Sequence, residues 1–334
     1  MDWGQLWRYV GKVQAITHRS RIAILCDIFG CSVKYSAGYM DYFEYEFFLM
    51  PQAARRTYLT IKIAMDMDRR YNAGARREVF DDKIAMHQVF DDLMGREWLN
   101  LNTTTSTELE GFAARHPQVI VKPPAGSAGV GIEVLKLPPG TDFAALHGRL
   151  VAAGQTLMEP VLRNHPDLDR LYPGSLNTMR VITFARDGEV SVLRVVLKAG
   201  NGGATDNFAT NGMYTFVDDI GTVFLPAIDR EGDIHERHPL TGTAFRGFQV
   251  PLFSEALALV RQAALRLPEV PYVGWDVAVT PTNPVIIEGN TSSGIFQPKY
   301  SLNPTGIGDF PTYERAMRFC DDGRFDKLPP TLKP

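Results

Sequence analysis

Asp276, Glu288 and Asn290 are the residues whose types and spacing most directly ask for a ligand. They lie in two short apolar segments, 273–280 and 285–290, joined by Pro281-Thr282-Asn283-Pro284, a pattern that predicts a β-hairpin. Folded symmetrically about Thr282, that hairpin sets Asp276 opposite Glu288, with Cβ atoms about 5 Å apart. Side chains alternate along a strand, so Asn290 falls on the same side as Glu288. Two adjacent anions repel each other and call for a cation. Hard oxygen donors without His or Cys select Mg²⁺, with Mn²⁺ as a substitute. The competing reading is a solvated hairpin carrying acidic residues by chance.

A second group sits upstream. Lys122 ends an apolar run and is followed by Pro-Pro-Ala-Gly126-Ser127-Ala128-Gly129-Val-Gly131. Glycines at this density let backbone N–H groups approach an anion closely. The segment is not a Walker loop, because Ile132-Glu133 stand where that motif needs Lys and Ser or Thr. It also lacks the dinucleotide-binding spacing. Its lysine precedes the loop, where it can reach phosphates while the loop folds over them. Lys83, on a preceding helical segment, is a candidate second phosphate cation, or else a plain surface lysine. Arg180 interrupts an apolar strand, where an unpaired charge is costly, so it requires an anionic partner. A structural salt bridge and a γ-phosphate clamp both satisfy that requirement. Lys198 shares a strand face with Arg194 and directly precedes Ala-Gly-Asn-Gly-Gly, which favours a site role. The strand-like 157–162 segment has a backbone suited to an adenine edge.

These groups need elements to carry them. The sequence is ordinary for a soluble globular protein, 45% hydrophobic and 22% charged over 334 residues. A net charge of −3 gives no broad field for nucleic acid or anionic lipid. Cysteines at 26, 31 and 320 form neither a disulfide framework nor a zinc spacing. With no membrane span or signal peptide legible, a cytoplasmic location is expected. Residues 1–78 read as a mainly helical module, with a helix over 53–71; the aromatic run at 39–48 is either core or a binding surface. Helices are expected over 82–94, 142–153 and 254–267. Strands are expected near 119–122, 131–137 and 156–159, with a hairpin over 178–198 turning at Arg186-Asp-Gly-Glu189. Loops are expected over 199–213 and 226–250. The division is then 1–78, 79–160 and 161–334.

In this order, the motifs resemble the ATP-grasp superfamily: lysine, lysine with glycine loop, hinge glutamate, phosphate arginine, then Asp and Glu-x-Asn, over roughly 80–300. His165-Pro-Asp-Leu, Pro173-Gly-Ser-Leu-Asn-Thr-Met-Arg-Val-Ile-Thr, Asp206-Asn-Phe, His238-Pro-Leu-Thr-Gly, Val273-Gly-Trp-Asp and Ile287-Glu-Gly-Asn are similar to its sugar-transfer associated branch. That branch is in turn loosely similar to α-L-glutamate ligases. The resemblance implies an α+β fold in which two subdomains grip ATP. It implies that Lys83 and Lys122 bind phosphates and that Glu159 and Val161 meet adenine through their backbone. Asp167 would contact ribose, and Asp276, Glu288 and Asn290 would hold magnesium. Gly274 stands where some ATP-grasp ligases carry an arginine, leaving that role to Arg180 or Lys198. The implied activity is a carboxylate–amine ligase acting on small molecules through an acyl phosphate. A small-molecule kinase and a non-catalytic nucleotide-binding scaffold remain open alternatives. Acceptor contacts are expected from 199–213, 231–248 and 291–300, with Asn207, Asn211, Arg237 and Lys299 as candidates, and His235 and His238 as the nearest bases. The acid, the amine and the oligomeric state are not written in the sequence.

Overall fold

The computed structural model describes residues 3–74, 76–126 and 130–317. Within these, the chain divides into two units. One holds residues up to 73 together with those from 292 onward; the other runs from 74 to 291. This departs from the expected 161–334 domain. Residues after Thr291 return to the helical module because its backbone needs them: the buried Gln297 amide bonds both the N–H and the C=O of Leu59. Phe310 N–H also donates to Thr57 O.

In the helical unit, Ser20 caps the helix Arg21–Tyr35 by accepting from Ala23 N, and Thr60 caps Ile61–Tyr71 by accepting from Ile63 N. The expected 53–71 helix is broken ahead of that cap, leaving only the short turn Gln52–Arg55 upstream. The aromatic run resolves as core: Tyr42, Tyr45 and Phe47 are buried with Leu6, Val10, Val13 and Ile24. Asp27 organises this unit, accepting from both Arg55 terminal nitrogens, Arg19 and Tyr42.

The second unit contains two antiparallel sheets. The four-stranded sheet is built from β1 (Leu99–Asn100), β2 (Gln118–Lys122), β3 (Glu133–Lys136) and β4 (Leu157–Pro160), in the order β1-β4-β2-β3. Val119, Val121 and Met158 point into a core shared with the helices Ser106–Arg115 and Phe143–Ala152. Lys122 and Glu159 therefore share the opposite face, with Glu159 paired to Ile120.

The seven-stranded sheet comprises β5 (Thr178–Arg186), β6 (Glu189–Ala199), β7 (Met213–Phe216), β8 (Ala227–Asp229), β9 (Ile234–His235), β10 (Tyr272–Val279) and β11 (Pro284–Asn290). Its order is β11-β10-β5-β6-β7-β8-β9. The β5–β6 hairpin turns at Asp187-Gly188 as expected, with Arg186 opposite Glu189. The stretches expected as loops contain β7 edge residues, β8 and β9, whose strands are too short to show alternation in sequence. Met179, Val181, Trp275 and Val277 are buried beneath the helices Lys83–Met94 and Phe253–Arg266. Arg180 and Asp276, one residue out of phase, face the other way.

Candidate functional site

Asp276, Glu288 and Arg180 form a row across three strands: Asp276 pairs with Glu288 on one side and with Arg180 on the other. The Asp276–Glu288 pair forms as expected, but by a different route. At the turn, Val279 pairs with Pro284 and Val277 with Ile286, a register that on its own would place Asp276 opposite Ile287. A bulge leaves Ile287 unmatched and restores Glu288 to the face of Asp276. Without it Glu288 would share the face of Trp275, in the core.

Asp276 is buried and held by two cations. Arg180 donates to both its oxygens, Nε to Oδ1 and Nη2 to Oδ2, each at 2.8 Å, and Lys198 Nζ lies 2.9 Å from Oδ1. Burial works to raise its pKa, but Arg180 and Lys198 outweigh that and hold it well below the usual carboxylate range. Here Arg180 makes the salt bridge that an apolar strand demands. A carboxylate has about four lone-pair directions, so these three donors leave room for one more partner. Glu288 is engaged more weakly: Asn290 Nδ2 approaches Glu288 Oε1 at 3.4 Å and Gly274 O at 3.5 Å. Both are at the limit of hydrogen bonding, and the opposite amide assignment would turn Oδ1 toward Glu288's side. Among the described residues no three His, Cys, Asp or Glu side chains cluster as a metal group. The donor set is two carboxylates and an amide oxygen, which fits a magnesium ion that completes its shell with phosphate and water.

On the four-stranded sheet, Glu159 is a fully buried hub. Its Oε1 accepts from Arg96 Nε at 2.8 Å and faces His87 Nε2 at 2.6 Å; Lys122 Nζ lies 2.5 Å from Oε2. Burial raises its pKa, and the opposing Arg96 and Lys122 charges carry it well below the normal value. An ionised Glu159 only accepts, so His87 Nε2 carries the proton and its buried Nδ1 has no partner. The side chain of Glu159 thus acts as an anchor for Lys122, a role the hinge expectation did not include. The N–H of Val161 already donates to Gln118 O at 3.2 Å, so the expected adenine contact would have to use the Val161 carbonyl.

Lys83 opens its helix behind the Asp82 cap, and its Nζ donates to Gly126 O at 2.7 Å. Burial lowers its pKa first, with Glu288 acting in the opposite direction and Lys122 reinforcing the depression. Both expected phosphate lysines therefore meet at the mouth of the glycine loop, within electrostatic reach of the hairpin carboxylate. Gly126 and Gly131 have φ of +116° and +76°, backbone states that L side chains rarely adopt. Ser127, Ala128 and Gly129 lie outside the described residues.

The remaining candidates are less concentrated. Asp167 is half-exposed and sits 3.6 Å from Arg170 and 3.5 Å from His165. Asn211, at φ +75°, donates to Asn201 O, and the Asn207 carbonyl accepts from Thr210 and Gly212, so both shape their loop. Arg237 is exposed and bonds Gly242 O. Lys299 belongs to the helical unit, where it interacts with Glu44. His238 is buried, accepts at Nδ1 from Leu240 N and so donates from Nε2 to Gly200 O, which makes it a neutral anchor.

The family model for sugar-transfer associated ATP-grasp matches residues 62–300, more than half of the chain. The chain belongs to this family. Its ATP-grasp fold is accordingly the pair of sheets just described, with helices added at the N-terminus. No curated protein matches the chain. Among solved structures, it is similar to the ATP-grasp ligase PsnB complexed with minimal precursor: 15% identity, TM-score 0.42, covering 74% of this chain and 62% of that one. A D-alanine–D-alanine ligase from Bacillus anthracis shows 13% identity and TM-score 0.38, with 72% and 67% covered. The chain thus spans less than two thirds of the PsnB chain's length.

Two residues packed around Glu159 are not among the candidates the sequence offers. Arg96 bonds Glu159 and also donates to Ile286 O at 2.6 Å and Ile287 O at 3.4 Å, the carbonyls of the bulge. His87 is the other. Gly95 was the available signal for Arg96: it ends the helix at φ +64°, and a Cβ there would meet Val285 Cγ1 at 2.7 Å. Only glycine lets the chain pass β11 that closely.

Proposed function

We propose that this ATP-grasp protein is an ATP-dependent carboxylate–amine ligase that works through an acyl phosphate. The observation that carries the reading is the meeting of Lys83, Lys122, Glu288 and the Arg180–Asp276–Lys198 cluster in one unit. Lys122 and Arg96 both face the carboxylate of Glu159, and Lys83 reaches Gly126 at the same loop, a set of cations that suits the phosphates of a nucleotide. Lys83 and Lys122 bind those phosphates, and the glycine loop covers them and excludes water. Asp276, Glu288 and Asn290 would hold magnesium, which neutralises charge between phosphates when bound. A substrate carboxylate is already ionised near pH 7, so it attacks the γ-phosphorus without a base. ADP leaves, an amine attacks the acyl carbon, and phosphate is released. Lys198 and Arg180 stabilise charge on the transferring group from beside Asp276.

A kinase acting on a hydroxyl needs a base near that row. His238 has both nitrogens engaged, and His235 bonds Asp229 Oδ2 at 2.7 Å on β9. Five strand spacings separate β9 from β10, about 24 Å in the sheet. Neither histidine is therefore a base for this reaction. The test is isotopic. With panels of acids and amines supplied singly and together, ADP release should need the acid, and ¹⁸O in the acid's carboxylate should appear in inorganic phosphate. Full retention of the label in a product acid would overturn the ligase reading.

A further inference from the structure

The helix Arg21–Tyr35 carries two apolar faces. Ile24 and Cys31 are buried in the unit's core, which is the ordinary arrangement. Ile22, Cys26, Phe29 and Val33, at steps of four, three and four residues, line the opposite side. Ile22, Phe29 and Val33 are 76%, 72% and 70% exposed, and Cys26 is exposed as well. A helix on the surface of a globular unit normally turns polar residues outward there. The preceding helix, Trp3–Thr17, adds exposed Trp3, Trp7 and Ile16.

Charge says what covers such a face. Residues 3–38 hold five basic residues, Arg8, Lys12, Arg19, Arg21 and Lys34, against one acid, Asp27. That acid is engaged by Arg55, Tyr42 and Arg19, which leaves Arg8, Lys12, Arg21 and Lys34 as the basic residues it does not pair. The Arg21 guanidinium sits 5.9 Å from the centre of the exposed Trp7 ring. A chain of net charge −3 thus concentrates positive charge where it exposes tryptophan and aliphatic side chains. Two copies of so basic a surface repel each other, whereas an anionic surface is attracted.

We propose that these two helices dock the protein on a bilayer surface containing anionic lipid. Basic residues beside Trp, Phe and Ile are the composition of helices that lie in the headgroup plane. Lying, not crossing, follows from length: 15 residues span about 22 Å, short of the roughly 30 Å hydrocarbon core. Among the described residues no helix is long and apolar enough to cross a membrane. The proposal is independent of the ligase reading.

Co-sedimentation of the full chain with vesicles tests it. The chain should pellet with phosphatidylcholine–phosphatidylglycerol vesicles and stay in solution with phosphatidylcholine alone. Phe29→Glu combined with Val33→Glu should weaken vesicle binding roughly tenfold or more, without changing the helical circular dichroism or ATP affinity. Arg21→Glu with Lys34→Glu should abolish the preference for anionic lipid. Phe29→Ser leaves the charge unchanged and reports the apolar contribution should the double glutamate variant fold poorly. Absence of pelleting with anionic vesicles overturns the proposal, as does wild-type pelleting by the Phe29 variants. A dimer seen by light scattering and split by Phe29→Ser would assign the stripe to a second copy and overturn it equally.

Discussion

Asp276 and Glu288 are carboxylates placed differently, and removal of each should have a different consequence. Asp276 is buried under Arg180 and Lys198, so Asp276→Asn removes the carboxylate that both cations share, while Asp206 remains 4.0 Å from Lys198. Breaking such a pair costs about 3–5 kcal/mol, and the urea midpoint should fall accordingly. Glu288 makes one long hydrogen bond, to Asn290 at 3.4 Å, so Glu288→Gln should lower the midpoint far less than Asp276→Asn while abolishing turnover. ATP binding with Mg²⁺ should then weaken more than binding without it. Wild-type activity of Glu288→Gln at limiting Mg²⁺ would remove the metal assignment. Lys122→Ala should weaken ATP binding by roughly 1.5–3 kcal/mol, the worth of a charge-assisted bond. Titration calorimetry with ATP reads this directly, and an unchanged Kd would place the nucleotide elsewhere.

At the scale of elements, the bulge in β11 matters most. It moves Glu288 from the core face of the sheet to the face of Asp276, and Arg96 grips the two carbonyls that flank it. The same guanidinium bonds Glu159, so one side chain connects the anchor of Lys122 to the strand that bears Glu288. Arg96→Met should therefore misplace Glu288 while leaving the Lys83–Gly126 hydrogen bond intact. A displacement of about 1 Å at a reacting centre costs on the order of 10²-fold in rate. The expected outcome is a fall of that order in kcat, with a smaller change in metal-free ATP affinity. Equal losses in both would reduce Arg96 to a support for Lys122 alone.

At the scale of the whole chain, two carboxylates, one in each unit, carry opposite pH dependences. In the helical unit, burial and the nearby Asp41 raise Glu44 to about 7, with Lys299 offsetting part of the effect. A raised carboxylate binds its proton more tightly folded than unfolded. Its contribution is fully present below its unfolded value near 4.5 and is lost as pH rises through about 7. Stability should thus drop by about 1–3 kcal/mol between pH 5 and pH 8 from this group. Glu44→Gln should flatten that slope in thermal melts. Asp276 has the opposite sign: its lowered pKa contributes stability above pH 4 that is lost only on strong acidification. A Glu44→Gln variant that keeps the wild-type slope would place its source in another group.

The sequence alone determined the chemical inventory and most of the elements. Alternation with period two put Arg180 and Asp276 on the other face of the sheet from Met179 and Trp275, and the Asp187-Gly188 turn set the β5–β6 register as far as Thr183, because these are local properties of strands; the shift between Thr183 and Ile182 is not. The glycine-rich run behind Lys122 was legible as well, whereas Lys83 alone also fits a plain surface lysine, and only the family resemblance favoured its phosphate role. Only the tertiary structure decided what those charges do to one another. Arg180 had two admissible partners in sequence, and the pairing of β5 with β10 placed it on Asp276. The bulge at Ile287 gives no local signal, since an extra residue in a strand is visible only against its neighbour. Arg96 and His87 meet Glu159 across 63 and 72 residues of sequence. Likewise, the return of residues after Thr291 to the helical unit rests on Gln297 meeting Leu59, 238 residues apart. Periodicity reports which way a side chain points along its own element; only the packing of elements selects which distant group it meets.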